Sequence, residues 1–137
     1  MVKHLLIITI VLMFLTNGCS DSKSETVTIQ TMRTFTATGD DGTVGTASQY
    51  DLRYSTNRDS LTNHWGNCSA IPGLPTPNIA GTAETLFINL TVETDKTYFF
   101  AIKAADEVPN WSVISNIMTL SFPDITAPSA IIDLGGK

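Results

Sequence analysis

The segment Thr97–Asp106 has the clearest alternation of side chains in this sequence. Tyr98, Phe100, Ile102 and Ala104 fall on one face of an extended strand, and the residues between them fall on the other. A period of two in a run rich in aromatic and small apolar residues predicts a central strand that is buried strongly on one face. Such a strand needs neighbouring strands to cover its apolar side chains.

Further segments show strand-like patterns, separated by turn residues such as Gly39-Asp40-Asp41-Gly42 and the prolines between positions 72 and 77. Beyond the N-terminal apolar run, no stretch has the 3.6-residue spacing of an amphipathic helix. The sequence therefore predicts an all-β fold, an antiparallel sandwich of about six short strands. The other predicted strands lie within Val27–Ala37, Ser48–Ser55, Trp65–Ile71, Thr85–Val92 and Val113–Phe122.

The N-terminal segment is apolar from Leu5 to Leu15, interrupted only by Thr9 and preceded by Lys3. A run of this length is too short to span about 30 Å of hydrocarbon and is typical of a secretory signal core. The run ends in Thr16-Asn17-Gly18-Cys19, after which the sequence becomes polar at once. We therefore expect an exported protein.

A small residue directly before Cys19 at the end of such a core resembles the bacterial lipoprotein signal. The resemblance implies that residues 1–18 are a signal peptide and that Cys19 carries a diacylglycerol, which anchors the chain in the membrane. Ser20 resembles the residue that favours sorting to the outer membrane. Residues 19–29 would then be the lipidated cysteine and a polar tether. Plain secretion with a free thiol and an uncleaved anchor are the alternatives.

Several ordered blocks of sequence follow one another along the chain: Gly39–Ala47, Tyr50–Thr56, Pro75–Pro77, Ala80–Thr82, Thr97–Asp106, Asn110–Ser112 and Ser115–Asn116. Together they resemble a bacterial fibronectin type III domain, an immunoglobulin-like sandwich of seven strands. The resemblance implies one domain over residues 30–122, with Met32–Ala37 as its second strand. It also implies a corner in which Val92 and Tyr98 join the two sheets, the tyrosine hydroxyl bonding to upstream backbone.

The sequence departs from this family at two places in its first half. A regular first strand is expected to be absent, because the residues before Met32 lack the family's pattern. Arg33 stands where a buried aliphatic residue is expected, and an unpaired buried charge is costly. We therefore expect either a bulge that turns Met32 inward or an Arg33 side chain that reaches solvent.

Residues 123–137 resemble a linker and the truncated start of a second module of the same family. An alternative for this segment is that Ala130–Leu134 pairs with the exposed edge of the second strand in a neighbouring molecule.

The charge balance is 13 acidic against 8 basic residues, a net charge of −5. This balance argues against a nucleic-acid partner, which would require a basic face. The histidines are His4, in the predicted signal peptide, and His64, so a metal cage built from histidines is excluded. The sequence has no HExxH, GxSxG or CxxC motif and no phosphate-binding glycine loop. We expect no enzyme activity, no cofactor and no metal.

Two acidic pairs are candidates for chemistry. Asp40 and Asp41 are carboxylates of the kind that bind Ca²⁺, but their spacing supplies too few oxygens, which favours a hydrogen-bonded turn. Asp106 and Glu107 are interpreted in the same way, as the start of a loop rather than as a general acid and base.

Trp65 and Trp111 are the candidate residues for a binding surface, since exposed aromatic side chains stack on sugars and anchor protein partners. The alternative is that Trp111 supports its loop and Trp65 covers a sheet edge. We expect Cys68 to be a buried, unreactive thiol and His64 to be a surface residue.

The resemblances together predict a non-catalytic lipoprotein of the bacterial cell envelope whose domain acts as a spacer or a protein-interaction module. Its expected partners are the membrane, through the lipid, and a protein or a glycan; we expect a monomer. Two alternatives remain open at this stage. One is the N-terminal fragment of a larger exported hydrolase, and the other is a carbohydrate-binding module that uses Trp65 and Trp111.

Overall fold

The computed structural model describes residues 25–123 and residue 130. The predicted signal peptide, Cys19, and residues 124–129 and 131–137 of the predicted second module lie outside these residues. Within the described part, six strands, one short α-helix and one 3₁₀ turn follow each other along the chain. They are β1 (Thr26–Thr36), β2 (Gln49–Ser55), α1 (Arg58–Asn63), a 3₁₀ turn (Trp65–Asn67), β3 (Ser69–Ile71), β4 (Ala83–Glu93), β5 (Lys96–Ala105) and β6 (Met118–Phe122).

The strands form two antiparallel sheets, which confirms the predicted all-β sandwich. The smaller sheet pairs β1 with β4, and the larger sheet has the order β3-β2-β5-β6. The pairing of β1 with β4 runs without a bulge from Thr26 opposite Glu93 to Thr36 opposite Ala83. As predicted, β5 lies inside its sheet, between β2 and β6.

The main core lies between the two sheets, around the Phe100 side chain of β5. Phe100 and Ile88 are each 1% exposed, and Val92 is 2% exposed. Each of these side chains contributes about 1.5–3 kcal/mol by leaving water. The alternation predicted for Thr85–Val92 is confirmed, because Leu86, Ile88 and Val92 are buried, Leu90 in the same phase is half-buried, and the residues of the opposite phase are exposed.

The prediction of a strand over all of Trp65–Ile71 is wrong in its first half. Trp65–Asn67 forms a 3₁₀ turn, and the strand begins at Ser69. The helix before it, α1, was not predicted, because six residues are too few to show a helical period. Its start is fixed by Asn57, whose side-chain oxygen accepts a hydrogen bond from the Asp59 amide at 2.9 Å.

The last predicted strand, Val113–Phe122, is regular only from Met118. Before that residue, serine hydroxyls take the place of backbone acceptors along β5. Ser112 Oγ accepts from the Ala104 amide at 3.0 Å, and Ser115 Oγ accepts from the Ile102 amide at 3.1 Å. The segment therefore follows the edge of β5 without forming a continuous backbone ladder.

The first strand begins at Thr26, so it includes residues that were assigned to the tether. Of the two arrangements expected around Arg33, the bulge with Met32 turned inward is absent, and the arrangement in which the Arg33 side chain reaches towards solvent agrees with the structure. Met32 does not turn inward; it is 53% exposed. Arg33 keeps the inward position and extends its head group to the side, where Nε donates to Met118 Sδ at 2.9 Å and Nη1 donates to the Met32 carbonyl at 3.0 Å.

Candidate functional site

Three connections meet at one end of the sandwich, and we call them the loop end: residues 38–46, 78–82 and 106–113. They adjoin because Gln49, at the start of β2, pairs with Ala105, at the end of β5, and Thr36 pairs with Ala83. The Gly45 carbonyl accepts a hydrogen bond from the Ala80 amide at 2.9 Å, which joins the first connection to the second.

The first connection is a tight turn that requires glycine. A Cβ atom at Gly39 would lie 2.1 Å from the Val44 carbonyl oxygen, far inside van der Waals contact. Gly42 has a φ of 71°, a conformation that side chains rarely adopt. The Thr38 hydroxyl and the Gly39 amide both donate to the Gly42 carbonyl, at 2.9 and 2.8 Å. The turn therefore has a defined shape, and it holds the Val44 side chain in solvent.

The third connection is organised by Asp106. One carboxylate oxygen accepts the amides of Val108 and Asn110 at 3.0 and 2.8 Å, and the other accepts the Asn110 side-chain amide at 2.7 Å. These bonds to Asn110 and Val108 lower the pKa of Asp106 below its usual value. The prediction of a loop start at Asp106 agrees with these contacts. Trp111 then pairs with Ala105, which returns the chain to the edge of β5.

The loop end exposes most of the large apolar side chains that the described residues present to solvent. Seven such side chains are exposed, and five of them lie here. A concentration of exposed apolar groups of this kind marks an interaction surface more often than a scattered set does. The five are Val44 (69% exposed), Ile79 (65%), Val108 (67%), Trp111 (45%) and Val113 (87%).

The same end carries acidic side chains and no lysine or arginine. Desolvation and the negative charge of the nearby Glu107 carboxyl raise the pKa of Asp40. Asp41 and Asp106 add smaller effects in the same direction. Among the described residues, no group of histidine, cysteine or carboxylate side chains has the arrangement of a metal site. The loop end thus combines exposed apolar side chains with acidic ones.

Trp65, the other candidate binding residue, lies on the outer face of the larger sheet and is held by its neighbours. Its indole nitrogen donates to Asp51 Oδ2 at 2.9 Å. Lys103 Nζ lies 4.6 Å from the ring centroid, and the Arg53 guanidinium carbon lies 5.7 Å from it. Trp65 and Trp111 make no ring contact with each other within the described part of the chain, so the structure does not assemble them into one aromatic platform.

The two residues of the predicted corner are in contact with the same turn. Val92 is buried, and the Tyr98 hydroxyl accepts a hydrogen bond from the Glu93 amide at 2.9 Å. The Tyr98 ring packs against Tyr54 and Phe122, with centroid distances of 6.1 and 5.8 Å. This contact ties the end of β4 to β5, and hence one sheet to the other.

Sequence reasoning missed Glu84, a carboxylate that is only 3% exposed. Its Oε1 accepts the Tyr50 hydroxyl at 2.9 Å and the Asn78 amide at 2.7 Å. Burial and the Glu84 carboxylate raise the pKa of Tyr50 well above its usual value. Glu84 thus connects β4 to β2 and to the second connection of the loop end. The sequence held one indication that Glu84 is buried, because it lies in phase with Leu86 and Ile88 on the apolar face of β4.

Cys68 and His64 occupy positions like those expected for them. Cys68 is buried against Leu61 and Ala101, and burial raises the pKa of its thiol. His64 is exposed at the C-terminal end of α1. Neither residue belongs to the loop end.

No protein-family model matches this chain, and no solved structure matches it. Among curated proteins, the chain is similar to calcium-activated chloride channel regulator 1 of the horse, Equus caballus, with 35% identity over 101 residues. The alignment covers 69% of this chain and 11% of that protein, so the chain spans only about a tenth of the relative's length. Within the described residues, no helix has the length and apolar character needed to cross a membrane.

Proposed function

We propose that this chain is a non-catalytic lipoprotein of the cell envelope, and that its fibronectin type III module is a protein-interaction domain. The observation that carries the proposal is the loop end, where five exposed apolar side chains lie on connections fixed by internal hydrogen bonds. An ordered apolar surface loses little conformational entropy on binding, which favours recognition of a protein. The corner contact between Tyr98 and Glu93 supports the choice of module.

The charge of the loop end narrows the class of partner. Its acidic side chains lie on the same connections as the exposed Val44, Val108 and Trp111, so a complementary surface would combine an apolar contact with lysine or arginine. The horse relative is, by its name, a channel regulator, and the aligned residues are 11% of its length. This proportion is compatible with a module that forms one part of a larger protein.

The predicted attachment to the membrane depends on Cys19, and Cys68 provides a matched control. Cys19→Ser is expected to abolish incorporation of radiolabelled palmitate and to move the chain from the membrane fraction to the soluble fraction. Cys68→Ser, which alters a buried thiol, should leave both readouts unchanged. A Cys19→Ser variant that still carries label and still sediments with membranes would refute the lipoprotein assignment.

The loop end is tested by native electrophoresis of detergent-solubilised membranes. Wild-type chain is expected in a complex larger than its own mass, and Trp111→Ala should release it. Phe87→Ala removes an exposed aromatic side chain elsewhere (73% exposed) and should leave the complex intact. Equal behaviour of the two variants would show that the loop end is not the contact.

A sugar-binding platform built from both tryptophans is disfavoured by the contacts of Trp65. Its indole N–H is already bonded to Asp51, and a lysine lies over its ring. In the described residues, Trp111 has no such contacts. A single exposed tryptophan ring suits the binding of a protein no less than the binding of a sugar.

A further inference from the structure

One edge of the smaller sheet is open. In the described part of the chain, β1 is an 11-residue strand that pairs with β4 on one side only. Its other side presents a row of backbone amides and carbonyls without strand partners. Native proteins usually protect such an edge with proline, lysine, a bulge, a short strand or an inward-pointing charge. The sequence of β1, TVTIQTMRTFT, has no proline or lysine, and its register has no bulge. Its one inward-pointing charge is Arg33, whose head group contacts Met118 and the Met32 carbonyl and leaves the rest of the edge uncovered in the described residues.

The larger sheet extends beneath this open side. Met118, Leu120 and Phe122 of β6 face the core but are only half-buried. The contact between Arg33 Nε and Met118 Sδ places β6 below the open side of β1. A strand added to β1 would therefore cover apolar side chains as well as backbone groups.

We propose that this edge accepts the segment Ala130–Leu134 of a second copy of the chain as an added strand. The segment reads AIIDL. In an extended strand, Ile132 and Leu134 share a face with Ala130, and Asp133 lies on the opposite face. The charged side chain fixes which face is outward, so Ile132 and Leu134 cover β6 while Asp133 stays in water.

The position of β6 favours the addition of one extended segment to β1 over direct pairing between the β1 strands of two copies. An added strand needs a spacing of about 4.8 Å from β1. Two β1 edges cannot meet directly at that spacing, because β6 of each copy lies under the open side. A short extended segment has no second layer and fits this space.

The position of the chain's own C-terminal segment favours exchange between copies. Phe122 lies beside the start of β1, because its carbonyl accepts the Asp95 amide at 2.6 Å and the Glu25 carbonyl accepts the Thr94 amide at 2.8 Å. From there, a segment that continued directly along the edge would run parallel to β1. A segment from a second copy can enter antiparallel, which gives the more stable hydrogen-bond pattern. Ala130 itself is exposed and belongs to no strand.

The proposal predicts a chain that associates with itself, whereas the sequence led us to expect a monomer. Two adjacent isoleucines, Ile131 and Ile132, would lie on opposite faces of the added strand and provide a matched pair of variants. The full-length chain in detergent is compared with Ile132→Asp and Ile131→Asp by sedimentation velocity over a hundredfold range of concentration. Wild type and Ile131→Asp should associate as concentration rises, because residue 131 faces water. Ile132→Asp should remain monomeric, because it would place a carboxylate on the face of the segment that covers β6.

Hydrogen–deuterium exchange of the β1 amides gives the second readout. Protection of residues 26–36 should rise at least tenfold with concentration in wild type and should not change in Ile132→Asp. Protection that is independent of concentration would assign the edge to the chain's own segment and overturn the proposal. A wild-type chain that is monomeric at every concentration, or equal effects of the two aspartates, would overturn it as well.

Discussion

The corner tyrosine gives the sharpest test of how the two sheets are joined. Tyr98→Phe keeps the ring and its packing against Tyr54 and Phe122, and it removes only the acceptor of the Glu93 amide. Tyr98 is 6% exposed, so water does not easily replace the lost hydroxyl. The net value of one such hydrogen bond is about 1 kcal/mol, with a range of about 0.5–1.5. A domain of about 100 residues should therefore melt about 4–8 °C lower.

Urea denaturation followed by circular dichroism measures this change, and Tyr54→Phe is its matched control. Tyr54 packs on Phe100, but its hydroxyl makes no hydrogen bond to another described residue. We expect a lower midpoint and an unchanged slope for Tyr98→Phe, and a change within about 0.5 kcal/mol for Tyr54→Phe. An unaltered midpoint in Tyr98→Phe, or an equal loss in both variants, would refute the corner.

Three further changes test the loop end and its support. Gly39→Ala brings a Cβ against the Val44 carbonyl and should cost about 1–3 kcal/mol in urea denaturation, whereas Gly66→Ala, which meets no atom within 4 Å, should leave the stability near that of wild type. Glu84→Ala removes the acceptor of two part-buried hydrogen bonds, from the Tyr50 hydroxyl and the Asn78 amide, and should cost about 1.5–3 kcal/mol; a loss below about 1 kcal/mol would contradict the bridging role. Asp40→Asn tests the raised pKa of Asp40 by thermal melts between pH 3 and pH 7.

The direction in which Asp40 changes the folding stability with pH follows from the difference between its pKa in the folded and in the unfolded chain. The folded chain holds the Asp40 proton more tightly than the unfolded chain, so wild-type stability falls as pH rises from 3.8 through the raised pKa. The asparagine side chain of the variant cannot ionise and escapes this loss. The variant should therefore be the more stable protein at pH 7, and its advantage should shrink below pH 3.8. A difference in melting temperature that does not vary with pH would contradict the Asp40–Glu107 interaction.

The sequence predicted best the strands β4 and β5, in which apolar residues recur at every second position. Leu86, Ile88 and Val92 of β4 and Tyr98 and Phe100 of β5 are buried, as their phase predicts. Ala101, on the opposite face of β5, is buried as well, because it belongs to a second apolar cluster with Leu61 of α1. The helix α1 was missed because one turn and a half of helix carries no periodic signal. The irregular stretch before Met118 was missed because serine hydroxyls, rather than a change in apolar pattern, replace the ladder.

The candidate site was harder to predict than the fold. Val44, Ile79 and Val108 come from connections that are far apart in the chain, and only the sheet register brings them to one end. Trp111 was identified from its residue type, but so was Trp65, and the pattern could not show that Asp51 and Lys103 would engage Trp65. The exposure of a side chain and the residues that it contacts depend on tertiary structure, which the alternation of apolar and polar residues does not predict.

Photo-crosslinking in intact cells tests most directly whether the loop end is the binding face. A photoreactive phenylalanine analogue replaces Trp111 in one variant and the exposed Phe87 of β4 in the other. We predict a discrete adduct with one protein from position 111, lost when Val108 is also changed to Asp, and no such adduct from position 87. The same adduct from both positions, or none from position 111, would contradict the assignment of the loop end as the interaction surface.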